Sequence, residues 1–175
     1  MTTRDASSMS TLPPAGKANR FDRLLNVLAT GLGTGYFPKA PGTVGSLFGP
    51  LLIWGLGTDG TRPWLAAMGG AIALMIGIPI CNAGIRVLHA PDPGQVVFDE
   101  IAAFFWVFLF VPINPATAVT GFLLFRLFDI LKPWPIRHLE ALPGGLGIMA
   151  DDALAGLLAG GLLALAWSVL GPIMG

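Results

Sequence analysis

Four long stretches of this chain carry no charged side chain, and they restrict its possible folds more than any other feature. They comprise residues 40–58, 63–85, 101–125 and 153–175. A helix needs about 20 apolar residues to cross the hydrocarbon core of a bilayer, so each stretch is long enough to span it. The chain has 175 residues, of which 54% are hydrophobic and 11% are charged. We therefore expect a membrane protein.

Two prolines, Pro112 and Pro115, interrupt the third stretch, and a regular helix does not continue through them. The stretch divides into residues 101–111 and 116–125, each about 16 Å long at ~1.5 Å per residue, which is too short to cross a bilayer. We expect a helical hairpin that leaves and returns at one face. The predicted fold is all-α: a compact, membrane-embedded helical bundle with this Pro-broken hairpin, and with Gly-rich loops at one face.

The basic residues agree with this arrangement. If the N-terminus is inside, and the first, second and last stretches cross the membrane, nine of the ten Lys and Arg lie on the cytoplasmic side, and only Arg62 lies outside. Such asymmetry is typical of inner-membrane proteins. The alternative is a compact apolar bundle bound peripherally to the membrane. The first stretch is the weakest span, because it holds two prolines and several glycines.

The N-terminal part of the chain differs in composition from the rest. Residues 1–19 are polar and small, which predicts a disordered tail before a single domain at residues 20–175. Residues 20–30 predict a short amphipathic helix. Its apolar residues at helical spacing are Phe21, Leu24, Leu25 and Leu28. These would face the membrane or the bundle, while Arg20 and Arg23 stay in water.

A Gly-rich loop is predicted at residues 31–46, with nothing helical until its end. One interpretation is anion binding, because glycine lets backbone N–H groups converge on phosphate, while Lys39, Thr43 and Ser46 add a charge and hydroxyls. The other is a helix break needed for tight packing. The glycine spacing fits neither the dinucleotide motif nor the P-loop, so no nucleotide is expected. The net charge of zero argues against a nucleic-acid partner.

Five of the ten carboxylates form three groups beside the apolar stretches. These groups are Asp99–Glu100, Asp129 and Asp151–Asp152. An acid in such apolar surroundings needs a partner, and a divalent cation is a common one. Carboxylate oxygens without clustered His or Cys suit Mg²⁺, and the single Cys81 excludes both a disulfide framework and a multi-thiolate zinc site.

Each acidic group also has a purely structural explanation. Asp151 and Asp152 are expected at the first turn of the last helix, where one acid suffices as a cap worth about 0.5–2 kcal/mol, so we assign the other to the metal. For the first group, Asp99 is the expected cap and Glu100 the expected ligand.

Asp129 lies between two cations at helical spacing, Arg126 three residues before it and Lys132 three residues after it. A surface ladder of ion pairs would explain this spacing in a soluble protein. Because the rest of that helix is apolar, we favour a site in which the acid binds metal and the cations bind phosphate.

These residues together favour Mg²⁺-assisted phosphoryl chemistry. Cys81 lacks the phosphate loop of cysteine phosphatases, and His89 and His138 lack the pattern of membrane histidine phosphatases. A small membrane transporter and a non-catalytic membrane scaffold with an acidic metal site remain the alternatives. The acids lie at the ends of the apolar stretches and not at their centres, which disfavours a transport pathway.

Four motifs, taken in their order along the chain, make a more specific identification possible. They read PKAPGTVGS at residues 38–46, FDE at 98–100, FRLFDILKPWPIR at 125–137 and GGLGIMADDALAG at 144–156. In this order the motifs resemble the bacterial phosphatidylglycerophosphatase A family, and the resemblance covers nearly everything from residue 24 onward. Ala103 departs from it, because the family commonly has glycine there.

The resemblance implies a multi-pass enzyme of the bacterial inner membrane, active at the cytoplasmic face. With Mg²⁺ as cofactor and a phospholipid as substrate, water would remove the terminal phosphate of phosphatidylglycerophosphate and give phosphatidylglycerol. The expected metal ligands are Asp99, Glu100, Asp129, Asp151 and Asp152. The expected catalytic residues are Glu100, Asp129 and Asp152. The expected substrate-binding residues are Lys39, Thr43, Ser46, Arg126, Lys132 and Arg137. Whether one metal ion or two bind, and which acid is the general base, stays open.

Overall fold

The computed structural model of the protein describes the backbone of residues 18–174 and the side chains of residues 18–169, and this part contains helices and no strand. The helices are α1 (Arg20–Ala29), α2 (Pro41–Ser46), α3 (Phe48–Leu56), α4 (Pro63–Leu88), α5 (Phe98–Ala102), α6 (Phe104–Val107), α7 (Pro115–Leu131), α8 (Ile136–Leu139) and α9 (Gly145–Met174). The all-α prediction is confirmed. Residues 1–17 of the predicted disordered tail lie outside the described residues.

Helices α4 and α9 are long and apolar enough to cross a bilayer. In the most apolar 18 residues of each helix, only 33% of those in α4 and 44% of those in α9 are buried inside the protein. A core helix of a soluble protein would be mostly buried. Large apolar side chains are exposed on other helices as well, among them Trp54 on α3 and Val119 on α7. A surface of this kind needs an apolar surrounding, and the protein is therefore membrane-associated.

The predicted hairpin is present, with different boundaries. Its first arm consists of the short helices α5 and α6, and its second arm, α7, is 17 residues long, about 25 Å at ~1.5 Å per residue. Phe104, Val107 and Phe108 in and after the first arm are fully buried, and α6 packs against both α4 and α9. Irregular backbone is tolerated at membrane depth where protein surrounds it, which explains why this arm can be broken.

Helix α7 begins where the prolines predicted a break. Asn114 is its N-cap: the Asn114 side chain accepts from the Thr117 N–H at 2.9 Å, and the Thr117 hydroxyl oxygen accepts from the Asn114 N–H at 2.8 Å. Pro115 occupies the first helical position, where its missing N–H costs nothing. The sequence therefore ends one arm and starts the other within a few residues.

The Gly-rich segment is more helical than expected. Residues Gly31–Tyr36 form a 3₁₀ segment, and α2 already begins at Pro41. Gly45 packs directly against Val97, and a Cβ at Gly35 would overlap the backbone carbonyl of Gln95. These contacts support the tight-packing interpretation of the glycines.

The loop between α3 and α4 fastens the far tip of the hairpin. The Asp59 carboxylate accepts from the Ile113 N–H at 2.8 Å, and from the Thr61 N–H at 3.0 Å and hydroxyl at 2.7 Å. The Gly60 N–H donates to the Val111 carbonyl at 3.1 Å. Burial raises the pKa of Asp59, but these hydrogen bonds outweigh it and hold the pKa below its ordinary value of 3.8. The tip is thus tied to a charged carboxylate.

We expect Asp59→Asn to lower the free energy of unfolding by about 1–3 kcal/mol, because the amide leaves a buried N–H without its acceptor. The matched change at the exposed Asp92, Asp92→Asn, should alter it by less than about 0.5 kcal/mol. Thermal unfolding in detergent, followed by circular dichroism, measures both. The stability that Asp59 contributes is present above its ordinary pKa and declines as pH falls through its lowered folded-state pKa, so the difference should shrink below about pH 4. Equal melting temperatures at neutral pH would contradict this role.

Candidate active site

All five predicted acids line one cavity of about 570 Å³ at the end of the bundle opposite Asp59. Lys132 lines it as well. The acids come from three helices, α5, α7 and α9, and two loops close the rim. These loops are residues 91–94, before α5, and residues 140–144, before α9. The hairpin brings its two ends together at this cavity, as the prolines predicted.

The position of Asp99 and Glu100 is set by the residue just before α5. The Val97 N–H donates to the Ala29 carbonyl at 2.9 Å, and the Val97 side chain is fully buried. The N-cap of α5 is Val97, and no side chain caps this helix, so the prediction that Asp99 is a cap is wrong. Asp99 lies within the first turn, buried, and free for another role.

Glu100 fits against α2 because residue 42 is glycine. A Cβ at Gly42 would overlap the Glu100 carboxylate. The Ser46 hydroxyl lies 2.5 Å from Glu100 Oε2 and 2.7 Å from the Gly42 carbonyl, so it can donate to either oxygen. Burial raises the pKa of Glu100, although the charge of Arg126 opposes this rise. Ser46, predicted to bind substrate, thus contacts the acid directly.

Arg126 joins the two arms of the hairpin. Its Nη1 lies 3.1 Å from Glu100 Oε2 and 2.6 Å from Asp129 Oδ2, and it donates to Ser46 Oγ at 3.4 Å. From the sequence, this cation was predicted to bind phosphate and the acids to bind metal. In the structure the guanidinium pairs with both acids, which keeps three charged groups together in a partly buried place.

Lys132 pairs with an acid of the last helix in a similar way. It ends α7 in a left-handed conformation, with φ 41°, and its Nζ lies 2.7 Å from Asp151 Oδ2 and 3.3 Å from Glu140 Oε1. Burial lowers the pKa of Lys132, but the hydrogen bond and charge of Asp151 raise it more, so the pKa is above its ordinary value. Sequence analysis missed Glu140, because nothing in its local sequence marks it.

The last helix starts earlier than predicted. Helix α9 begins at Gly145, so Asp151 and Asp152 lie in its second turn and cannot cap it, and the capping interpretation is wrong. Asn82 on α4 serves the helix start instead, because its side chain accepts from the Gly145 N–H at 2.9 Å. The sequence gives no sign of this contact between helices, which fixes where along the bundle both acids lie.

Among the fully buried carboxylate oxygens of the cavity, Asp99 Oδ1 and Asp152 Oδ2 have no hydrogen-bond partner. Burial, and then the neighbouring charge of Glu100, raise the pKa of Asp99 well above its ordinary range. No group of three or more Asp, Glu, His or Cys side chains within residues 18–169 has a ready metal-binding arrangement. The two unpartnered oxygens are nevertheless hard donors that a divalent cation would satisfy.

Of the six predicted substrate-binding residues only Lys132 lines the cavity, and Ser46 and Arg126 reach it through their contacts with Glu100. Within residues 18–169, the other three have no such contact with an acid. Lys39 and Arg137 are exposed, and Thr43 is half-buried on α2. Their assignment to the headgroup stays a prediction. The structure brings together Ser46, Arg126 and Lys132 with the acids, and leaves these three at a distance.

Comparison with known proteins agrees with this geometry. The family model described as phosphatidylglycerophosphatase A matches residues 27–167. The chain belongs to the phosphatidylglycerophosphatase A family. The matched range contains every residue of the cavity, while most of α1 precedes it.

Individual relatives cover most of the chain. The phosphatidylglycerophosphatase A of Escherichia coli K12 is 36% identical over 141 residues, which are 79% of this chain and 80% of that protein. That of Haemophilus influenzae is 38% identical over 138 residues, 77% and 83% of the two chains. A Bacteroides thetaiotaomicron protein, whose name proposes a phosphatidylinositol-3-phosphatase, is 36% identical over 153 residues, 83% and 94% of the two chains. No solved structure shows a significant match.

Proposed function

We propose that this protein hydrolyses the terminal phosphate of phosphatidylglycerophosphate and releases phosphatidylglycerol and inorganic phosphate. One observation carries the proposal: in a member of the phosphatidylglycerophosphatase A family, five acids from three helices line one cavity at the end of an apolar bundle, Lys132 lines it with them, and Arg126 pairs with two of these acids. A lipid phosphate can reach such a cavity while its acyl chains stay among the exposed apolar side chains.

We further propose that the cofactor is Mg²⁺, held by Asp99 and Asp152. These acids carry the buried oxygens without partners, and carboxylate oxygens are the donors that Mg²⁺ prefers. Glu100, Asp129 and Asp151 line the same cavity and are the further candidate ligands. When bound, the ion would neutralise phosphate charge and lower the pKa of a water molecule.

The cations of the site suit the phosphate group. Arg126, on Glu100 and Asp129, presents a planar donor fork that matches phosphate oxygens, and Lys132, on Asp151, adds a compact charge. Both cations pair with carboxylates of the site, and each can also bind the phosphate dianion when it enters. They would steady the charge that develops on the phosphoryl oxygens during transfer.

Hydrolysis then needs a base and a leaving group. A water oxygen forms a bond to phosphorus, one carboxylate among Glu100, Asp129 and Asp152 takes its proton, and the bond from phosphorus to the glycerol oxygen breaks. The glycerol oxygen leaves as an alcohol after receiving that proton from the carboxyl group. Ser46 orients Glu100 through its hydroxyl, which limits the directions in which that carboxylate can point.

The proposed location is the bacterial inner membrane, crossed more than once, with the cavity at the cytoplasmic face. Arg62 lies at the Asp59 end, next to the loop that ties the hairpin tip, whereas Arg126 and Lys132 lie at the cavity end. This asymmetry is what the positive-inside rule expects for a cytoplasmic cavity. A transport function is not favoured, because the acids meet at one end, and Asp59 at the other end is engaged in holding the hairpin.

The direct test is phosphate release by the purified protein in detergent. We expect phosphatidylglycerophosphate to be hydrolysed much faster than phosphatidylinositol 3-phosphate or glycerol 3-phosphate. We also expect EDTA to abolish the reaction and added Mg²⁺ to restore it. Hydrolysis of the inositol lipid in preference would overturn the proposed substrate, and an undiminished rate in EDTA would overturn the proposed cofactor.

A matched pair of glycine substitutions tests the role of Glu100. Gly42→Ala places a Cβ where the Glu100 carboxylate lies, and we expect phosphate release to fall about tenfold or more, which corresponds to ~1.4 kcal/mol. Gly55→Ala places a Cβ on α3 where no atom lies within 4 Å, and should leave the rate unchanged. Melting temperatures of both variants should stay near that of the wild type. Equal rates for the two variants would remove the Glu100 position from the mechanism.

A further inference from the structure

Helix α1 has its polar face turned towards the protein and its apolar face turned outwards. The buried residues of α1 are Asp22, Asn26 and Ala29, and α1 packs against α4. On the opposite side Phe21 is 64% exposed and Leu24 is 67% exposed. A surface helix of a soluble protein has the reverse arrangement, with leucines inwards and acids outwards. The outer face of α1 is therefore built for an apolar surrounding.

The inward polar face is held by specific contacts. Arg86 on α4 lies 2.5 Å from the Asp22 carboxylate, and its hydrogen bond holds the pKa of that carboxyl below its usual range. Asn19 caps the helix, because its side chain accepts from the Asp22 N–H at 2.8 Å. These contacts fix the rotation of α1 about its axis. The outward direction of Phe21 and Leu24 is thus imposed by the bundle.

The apolar face continues beyond α1. Leu32 is 76% exposed in a left-handed backbone conformation, with φ 57°, in the 3₁₀ segment, and Phe37 is exposed after it. We call Phe21, Leu24, Leu28, Leu32 and Phe37 the outer apolar surface. Basic side chains accompany it, since Arg20, Arg23 and Lys39 are exposed along the same segment.

We propose that the outer apolar surface lies in the boundary between headgroups and acyl chains of the leaflet on the cavity side, and that its basic residues favour anionic phospholipids. Amphipathic segments that combine aromatic and aliphatic side chains with arginine and lysine bind at this depth. Long basic side chains can rest their stems on the apolar layer and keep their charges among the headgroups. A second copy of the chain is a poorer occupant, because it would bring the same positive charges to the contact.

The position of α1 places this surface beside the cavity. The last carbonyl of the helix, that of Ala29, accepts from Val97, two residues before Asp99. Gly31 also packs against the Val97 side chain. An α1 seated in the leaflet therefore holds the start of α5 at a fixed depth beneath the headgroups, which is where a lipid phosphate lies. This consequence rests on the proposed function, whereas the placement of α1 does not.

Depth-dependent quenching tests the placement without any activity measurement. Single cysteines are introduced at Leu24→Cys and Leu165→Cys in a Cys81→Ser background and labelled with an environment-sensitive dye, and the same dye coupled to free cysteine in the vesicle suspension is the aqueous reference. The proteins are then placed in phosphatidylcholine vesicles with or without phosphatidylglycerol, containing lipids brominated near the headgroup or near the chain end. Leu165 lies on the exposed side of α9.

We expect the dye at position 24 to show blue-shifted emission and to be quenched more by the shallow bromines than by the deep ones. The dye at 165 should show the opposite preference, and the free-cysteine reference should be quenched by neither. Shallow quenching at position 24 should increase with phosphatidylglycerol. Emission at position 24 like that of the aqueous reference would overturn the placement, and equal quenching with and without phosphatidylglycerol would overturn the preference for anionic lipid.

Energy transfer between differently labelled copies tests whether a second copy of the chain occupies the outer apolar surface instead. If transfer at position 24 persists when the protein is diluted in lipid, and bromines do not quench, the surface is a contact between copies and the proposal is wrong. The activity of Leu24→Gln gives an independent readout. We expect slower hydrolysis of substrate in vesicles and an unchanged rate with substrate in detergent. Loss in both media would indicate a folding defect at α1 and contradict the interfacial role.

Discussion

The contact of Arg126 with Glu100 and Asp129 fixes the path of the chain on which the site depends. These three groups come from the two arms of one hairpin, and all three are mostly shielded from solvent. Isolated charges in such surroundings cost several kcal/mol each, so the arms must return to the same place. The Asp59 hydrogen bonds hold the opposite tip of the hairpin, and the two attachments together set its length and direction.

The rest of the bundle is apolar both inside and outside. Alanine, phenylalanine and β-branched residues dominate its interior, while many leucines and the tryptophans Trp54, Trp64 and Trp134 point outwards. Polar groups concentrate at the two ends, where Asp59 closes one loop and the acid cavity opens at the other. Such a distribution places the chemistry at the surface of an apolar layer, next to the phosphates of the lipids that form it.

Much of this could be predicted from residues that act locally. Pro112 and Pro115 forbid a continuous helix, and that was enough to predict the hairpin and the meeting of its ends. The remaining differences come from contacts between residues far apart in sequence. Asn82, on α4, accepts a hydrogen bond from the first residue of α9 and so fixes where that helix begins. Glu140 pairs with Lys132 across a loop, and Val97 takes the cap position expected for Asp99. Periodicity and composition carry no signal for such contacts.

The central claim is that acids from three helices surround one cation site, with Asp99 and Asp152 providing its free oxygens. An experimental structure determined with Mn²⁺ in place of Mg²⁺ tests it most directly, because the anomalous signal locates the ion without reference to the protein. We expect a peak between Asp99 and Asp152 in the cavity. A peak at another place, or Asp99 and Asp152 on opposite sides of the bundle, would contradict it.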